Sequence, residues 1–133
     1  MQQLSVYIAG PMSGLEDFNF PAFNQAEQLW KAKGWRVVNP ASFDDGDTSQ
    51  TWLYYMARDL PELIRCDAIA MLPNWKGSRG AELEHTVAIM CGLRVFDALH
   101  PATHPITDHK YIEGTNICCD APDYIHLAGW KNR

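Results

Sequence analysis

Short apolar runs alternate with helical patterns along the chain, and this alternation is the feature that most restricts the fold. The run DAIAML at 67–72 is almost unbroken, which is typical of a parallel strand covered on both faces. The run LSVYIA at 4–9 has the same character, and the shorter segments 35–38 and 94–97 also consist largely of β-forming residues. Four strands are therefore predicted.

Amphipathic helices are predicted between these strands, at 21–33, 52–65 and 79–91. Pro61 lies inside the second helix and predicts a kink just past Asp59. Regular alternation of strands and helices predicts an α/β fold, a doubly wound parallel sheet with helices on both faces. The whole chain, 1–133, fits one domain, with 98–133 as an irregular C-terminal extension in which the pattern weakens.

Helical spacing also predicts which residues of these helices are buried. The expected inward stripe of the second helix consists of Leu53, Met56, Leu60, Leu63 and Ile64. That of the third helix consists of Leu83, Val87 and Met90.

Charge and composition restrict the partners. The chain has 11 basic and 16 acidic residues, a formal charge of -5 and no basic run, which argues against nucleic acid and favours a small molecule. No apolar stretch approaches the ~20 residues that span a bilayer, and no basic segment precedes the first apolar run, so no membrane association and a cytoplasmic location are expected.

Metal and disulfide sites are not predicted. The four cysteines have no framework spacing, and reduced thiols are expected. The C-terminal His and Cys residues lack paired ligand spacing, since Cys118 and Cys119 are adjacent, which argues against zinc. The acidic segment 41–51 lacks the last glutamate of an EF-hand loop, so a lid or a plain surface loop is expected there.

Candidate functional residues are concentrated in the stretch 72–92. Ser78, Gly80 and Ala81 are small residues where a helix begins, and its free N–H groups suit an anionic ligand. The alternative is that Ser78 is only an N-cap and that the acids after it complement the helix dipole. Glu82 and Glu84 lie about 200° apart around a helix, so at most one faces a pocket, and periodicity does not choose between them.

A second candidate loop follows the first strand. Gly10, Met12, Ser13 and Gly14 lie just beyond its end, at the carboxyl edge where parallel α/β sheets bind ligands. A simple tight turn is the alternative. Neither a dinucleotide fingerprint nor a P-loop is present.

Several motifs together resemble the nucleoside 2-deoxyribosyltransferase superfamily, and most of all its small DUF4406 branch, which is common in bacteriophage genomes. These are YIAGPMSG at 7–14, VVNP at 37–40, Asp59, CDAIAMLPNW at 66–75 and SRGAELEHTVAIMCGLRV at 78–95. The resemblance covers about residues 4–97. It implies a Rossmann-like or flavodoxin-like sheet and chemistry at the N-glycosidic bond of a nucleoside or nucleotide.

The resemblance also implies roles for individual residues. The deoxynucleotide N-hydrolase members share offsets that Ser78, Glu84, Ala88 and Arg94 reproduce, which assigns the nucleophile to Glu84. Asp59 matches the family's substrate-orienting or acid residue, with a raised pKa expected, and Tyr7 matches the tyrosine beside the catalytic carboxylate. The implied substrate-binding residues are Gly10, Met12, Ser13, Gly14, Asp67, Ser78, Arg79 and Gly80.

Substrate and acceptor stay open. Hydrolase members have a basic residue near the phosphate where this chain has Met12-Ser13-Gly14, so a 5′-phosphate is in question, although Ser13, Ser78 and Arg79 could hold one. The implied two-carboxylate reaction needs no metal or redox cofactor, and either water or a second base completes it. A homodimer or higher homo-oligomer is expected. The alternatives are a non-catalytic nucleotide-binding module and a partner-docking protein.

Overall fold

Four strands and three α-helices alternate along the described part of the chain, which is residues 3–46 and 48–102 of a computed structural model, with only the backbone at 44–46. The strands are β1 (Ser5–Ala9), β2 (Arg36–Val38), β3 (Ala68–Met71) and β4 (Arg94–Asp97). The helices are α1 (Phe20–Ala32), α2 (Trp52–Ile64) and α3 (Arg79–Met90). Two 3₁₀ segments, Glu16–Asn19 and Pro40–Gly46, follow β1 and β2.

The strands form one parallel sheet in the order β2-β1-β3-β4. Tyr7 at the centre of β1 pairs with Val38 on one side and Ile69 on the other. The chain first moves outward from β1 to β2 and then crosses back to β3, as in the first four strands of the flavodoxin-like order. Its direction reverses between β1 and β3, and their carboxyl ends border the crevice where such folds bind ligands.

Helices cover both faces of this sheet, so the predicted α/β class and doubly wound arrangement are confirmed. Val6 and Ile8 of β1 belong to a core cluster with Trp30 of α1. Tyr7 and Ala9, on the opposite face of the same strand, belong to a second cluster with α2 and α3. The alternation of side chains along a strand accounts for this division.

Two tryptophans tie the chain beyond β4 to the core. The indole Nε1 of Trp30 donates to the carbonyl of Ala98 at 2.8 Å, and that of Trp35 donates to the carbonyl of Ala102 at 2.8 Å. The first residues of the expected C-terminal extension therefore pack against α1. The remainder of that extension, with His104, His109, Cys118 and Cys119, lies outside the described residues.

The buried face of α2 differs from the predicted stripe. Leu53 is 70% exposed and Ile64 is 51% exposed, whereas Met56, Asp59 and Leu63 are buried. The helix also extends past Pro61 to Ile64, as one element. No described helix is long and apolar enough to cross a membrane.

The buried face of α3 also differs from its predicted stripe, although Val87 packs, partly buried, against the core. Met90 is 53% exposed, and the residues buried on this helix are Ala81, Glu84 and Ala88. Alanines bring the helix backbone close to the sheet, because they have almost no side chain to separate the two. The buried stripe therefore contains small residues and one carboxylic acid, which a search for large apolar side chains does not find.

Candidate active site

A cleft of about 220 Å³ opens at the carboxyl edge of the sheet. Its walls come from the loops after β1 and β2, from the first turns of α3, and from one face of α2. Glu84 and Asp59 both line it. Both residues are almost fully buried, with exposed fractions of 4% for Glu84 and 5% for Asp59. The structure therefore brings together the two carboxyl groups predicted from the sequence.

Glu84 is held by Tyr7. The hydroxyl of Tyr7, which has no exposed surface, donates a hydrogen bond to Oε2 of Glu84. Burial raises the pKa of Glu84 to about 8, the Tyr7 hydrogen bond opposes this rise, the charge of Asp59 adds to it, and the charge of Arg58 opposes it. Burial, followed by the charges of Glu84 and Asp59, raises the pKa of Tyr7, so its phenol stays a hydrogen-bond donor.

Asp59 extends from α2 to the cleft, and the guanidinium of Arg58 lies beside its carboxyl group. Arg58 Nε donates to Asp59 Oδ1 at 2.7 Å, which is a charge-assisted hydrogen bond between two largely buried side chains. A cation at this distance favours the carboxylate form. The surroundings also raise the pKa of the other carboxyl group, Glu84, which the sequence did not predict.

The start of α3 has a capping role as well as a place at the cleft. Ser78 is the N-cap, and its hydroxyl accepts a hydrogen bond from the N–H of Ala81 at 3.4 Å. Glu82 is exposed, and its Oε2 accepts a hydrogen bond from the N–H of Gly77 at 3.0 Å. Glu82 therefore caps the helix start, while Glu84 points inward. Geometry makes the choice that periodicity left open.

The loop after β1 supplies three predicted residues to the cleft, Gly10, Met12 and Ser13. A Cβ atom at Gly10 would lie only 2.7 Å from Leu72 Cβ, so the close approach of the ends of β1 and β3 requires glycine. Gly14 has φ +78° and open space around it, and it does not line the cleft. Its role is to turn the chain.

Asp67 is not part of the cleft, and its predicted place in substrate binding is not supported. Its Oδ2 accepts hydrogen bonds from the backbone N–H of Ser5 at 2.8 Å and from the Ser5 hydroxyl at 3.2 Å. Asp67 precedes β3 and Ser5 begins β1, so the pair lies at the amino edge of the sheet. The cleft lies at the opposite edge, because the strands are parallel.

Arg79 lies against the rim and does not line the cleft. Its guanidinium carbon lies 3.6 Å from the centre of the Trp52 ring, a cation–π contact. Trp52 does line the cleft, and its buried Nε1 has no hydrogen-bond partner among the described residues. A Cβ atom at Gly80 would lie 3.6 Å from this nitrogen. Arg79 therefore borders the cleft through the Trp52 ring that it covers.

The aromatic wall of the cleft was missed from the sequence. On α2 it consists of Trp52 and Tyr55, and Phe43 from the segment after β2 adds to it, while Met56 of α2 lines the cleft with an apolar side chain. Phe20 and Phe23 of α1, together with Phe18 just before this helix, line another side. The spacing of 52, 55 and 59 places those three side chains along one face of a helix, and this was the available signal. The predicted apolar stripe of α2 is centred on a neighbouring face of the helix.

Among residues 3–46 and 48–102, no group of three or more His, Cys, Asp or Glu side chains is arranged to hold a metal ion. His100, one of the histidines considered for zinc, has its Nδ1 3.1 Å from Asp97 Oδ2 at the surface.

Comparison with known proteins agrees with this architecture. A solved structure of a 2-deoxyribosyltransferase from the psychrotolerant bacterium Bacillus psychrosaccharolyticus superposes with a TM-score of 0.56, over 97% of this chain and 91% of that chain. Sequence identity is 15%, so this likeness establishes the fold. No match was found among curated proteins. The family model for the Domain of unknown function (DUF4406) matches residues 4–97, and the chain belongs to that family.

Proposed function

We propose that this protein cleaves or exchanges the N-glycosidic bond of a nucleoside or nucleotide. The observation that carries the proposal is the buried Glu84 carboxyl, held by Tyr7 in a cleft that a second carboxyl, Asp59, also lines. The shared fold with an enzyme named as a 2-deoxyribosyltransferase supports the same class of chemistry. Because fold alone does not establish turnover, the proposal depends on the paired side chains.

Glu84 is the proposed nucleophile. Breaking the C1′–N bond sends its electron pair to the departing base and develops positive charge on the sugar, which a fixed carboxylate stabilises. A bond between a Glu84 oxygen and C1′ then gives a glycosyl ester. Attack on C1′ by water releases the free sugar, while attack by a second base gives a new nucleoside. In either case Glu84 is regenerated, as in retaining glycoside hydrolysis.

The carboxyl pair also supplies the proton that the departing base needs. With its pKa raised to about 8, Glu84 carries a proton at neutral pH in the empty cleft, while Arg58 favours the carboxylate form of Asp59. We propose that Glu84 gives up this proton as the base departs and that Asp59 passes it to a ring nitrogen. One proton thus leaves the pair with the base, and Glu84 becomes the carboxylate that attacks C1′.

The aromatic side chains offer a place for the base. Trp52 and Tyr55 on α2, with Phe43 and Phe20, put ring surfaces along the cleft wall. Stacking on an aromatic ring is tolerant of base identity and contributes about 1–3 kcal/mol per base in nucleic-acid complexes. This wall supports a nucleobase as the leaving group.

Assembly and substrate detail are also proposals. We propose a homodimer or higher homo-oligomer, because Leu53, Ile64 and Met90 expose apolar surface on α2 and α3. Light scattering after size-exclusion chromatography measures the mass directly.

Both a free nucleoside and its 5′-monophosphate remain candidate substrates, and the assay below includes each form.

The experiment is a search for free base. The purified protein is incubated with deoxynucleosides, ribonucleosides and their 5′-monophosphates, each with and without a second free base, and the products are separated by chromatography. We expect free base from at least one substrate, and a new nucleoside wherever exchange occurs. Ligands that raise the melting temperature without any base release would contradict the proposal and indicate a non-catalytic nucleotide-binding module.

A further inference from the structure

Arg58 lies in the cleft, although none of the sequence motifs marks it as a site residue. It lines the cleft, and its side chain is 20% exposed. Its guanidinium carbon lies 4.9 Å from the centre of the Phe43 ring and 5.1 Å from that of the Tyr55 ring. Its Nε donates to Asp59 at 2.7 Å. Two rings and a carboxylate therefore hold one guanidinium in place.

We propose that Arg58 is a positioning residue that fixes the Asp59 carboxylate at the cleft wall and keeps it negatively charged while the cleft is empty. This inference rests on the proposed function, because it assigns the shared proton of the carboxyl pair to Glu84 before substrate binds. Arg58 acts on the reaction through Asp59 and Glu84, and no direct contact with the reacting atoms is required.

The charges around the pair explain why a guanidinium is needed. Asp59 and Arg58 come from α2, Glu84 faces them from α3, and Tyr7 faces them from β1. Tyr7 is neutral, so two ionised carboxylates without Arg58 would leave two negative charges on side chains that are almost fully buried. Arg58 offsets one of them and opposes the rise in the pKa of Glu84.

Lysine cannot reproduce this arrangement. The Nε–H of arginine lies within a rigid planar group that can stack on aromatic rings and donate to a carboxylate at once, whereas lysine has a compact ammonium on a flexible stem. Arg58→Lys therefore keeps the charge and loses the fixed hydrogen bond. Arg58→Met keeps much of the side-chain volume and loses both. Comparison of the two variants separates charge from position.

The first measurement is the pH profile of base release for wild type, Arg58→Lys and Arg58→Met. For Arg58→Lys we expect about a 10-fold lower kcat. Its acidic limb should stay near the wild-type pH, since lysine keeps the positive charge beside Asp59. For Arg58→Met we expect about a 100-fold lower kcat and an acidic limb at higher pH, since Asp59 then lacks the cation that favours its carboxylate form. If both variants only lower the melting temperature and leave kcat and the limb unchanged, Arg58 is merely structural and the inference is wrong.

The second measurement does not need turnover. The side-chain carboxyl carbon of Glu84 is followed by NMR as a function of pH in wild type and Arg58→Met, with Arg65→Met as the control because exposed Arg65 pairs with Glu62. If the Arg58→Met protein does not fold, Arg58→Gln is measured in its place. We expect titration at higher pH in the position 58 variant and no change in the control.

The inference and the proposed function can fail independently of each other in these two measurements. If the Glu84 titration does not move when Arg58 is replaced, the inference is overturned, whether or not the wild type releases base. If the titration moves and the wild type releases no base from any substrate, the proposed function fails, while the effect of Arg58 on the charge of the cleft stands.

Discussion

The hydroxyl of Tyr7 donates a hydrogen bond to Oε2 of Glu84, which connects the central strand of the sheet to the inner face of α3. Both residues are buried, and burial is the largest cause of the raised pKa of each. Tyr7 thus satisfies one oxygen of an acid that water cannot reach freely. The bond orients Glu84 and also moderates its proton affinity, since it is among the influences that lower the pKa of Glu84.

Tyr7→Phe removes this donor and keeps the ring. We expect the pKa of Glu84 to rise further, so that the alkaline limb of the kcat/KM profile, where the free protein loses the Glu84 proton, moves to higher pH. Activity should fall by about 10- to 100-fold, because the carboxylate that attacks C1′ loses the hydrogen bond that orients it. A buried oxygen left without its partner also costs about 1–3 kcal/mol of stability. The pH profile and the melting temperature measure the two effects.

The matched control is Tyr54→Phe, since Tyr54 lies on the outer surface of α2 with 41% exposure and does not line the cleft. We expect its pH profile to follow the wild type. A Tyr7→Phe profile that coincides with that of the control would show that the Tyr7 hydroxyl does not act on Glu84.

Glu84 should make the protein less stable as the pH rises. The native state keeps the Glu84 proton up to about pH 8, whereas an unfolded chain loses it near the ordinary value of 4.5. Between these values the native state binds more protons, so the free energy of unfolding falls with increasing pH. At pH 5 this loss is small, and by pH 8 it is on the order of a few kcal/mol at most.

Glu84→Gln removes the ionisation and keeps an acceptor for Tyr7. We therefore expect this variant to melt above the wild type at pH 8 and close to it at pH 5, as measured by calorimetry. All other titrating groups are common to the two proteins, so their contributions largely cancel in the difference. Equal differences at the two pH values would mean that Glu84 is ionised in the folded protein throughout this range.

The architecture was predictable because its signals are local. Apolar runs such as 68–72 are buried on both faces, and strand–helix alternation allows few topologies. The faces of the helices were not predictable in the same way. On α3, the sheet contacts are made by Ala81 and Ala88, and the third buried residue is the acid Glu84. A prediction based on large apolar side chains selects Met90, which is 53% exposed.

The candidate site was found from the order of several motifs. Neighbouring acids on one helix look alike in sequence, and what distinguishes Glu82 from Glu84 is the capping bond to Gly77 in one and burial against Tyr7 in the other. Arg58 gave no signal, because an arginine beside an aspartate on a helix is usually a surface pair. Its role depends on Phe43, which lies in another segment of the chain.

Asp67 provides a test of position, because the sequence suggested substrate binding and the structure puts it at the opposite edge of the sheet. Asp67→Asn weakens its hydrogen bonds with Ser5, and we expect a loss of about 0.5–2 kcal/mol of stability with base release per folded molecule unchanged. Asp59→Asn, which changes a carboxyl in the cleft, should lower base release by about 100-fold or more. If a folded Asp67→Asn protein no longer releases base, Asp67 does take part in substrate binding.

The most direct test of the account is base release by Glu84→Gln, compared with Glu82→Gln, on the substrate that the wild type turns over fastest. The two glutamates lie on the same helix, but Glu84 is buried in the cleft and Glu82 caps the helix start at the surface. We expect base release to fall by about three orders of magnitude or more in Glu84→Gln and to stay near the wild-type rate in Glu82→Gln. Base release at the wild-type rate by Glu84→Gln would contradict the assignment of the nucleophile, and with it the proposed reaction.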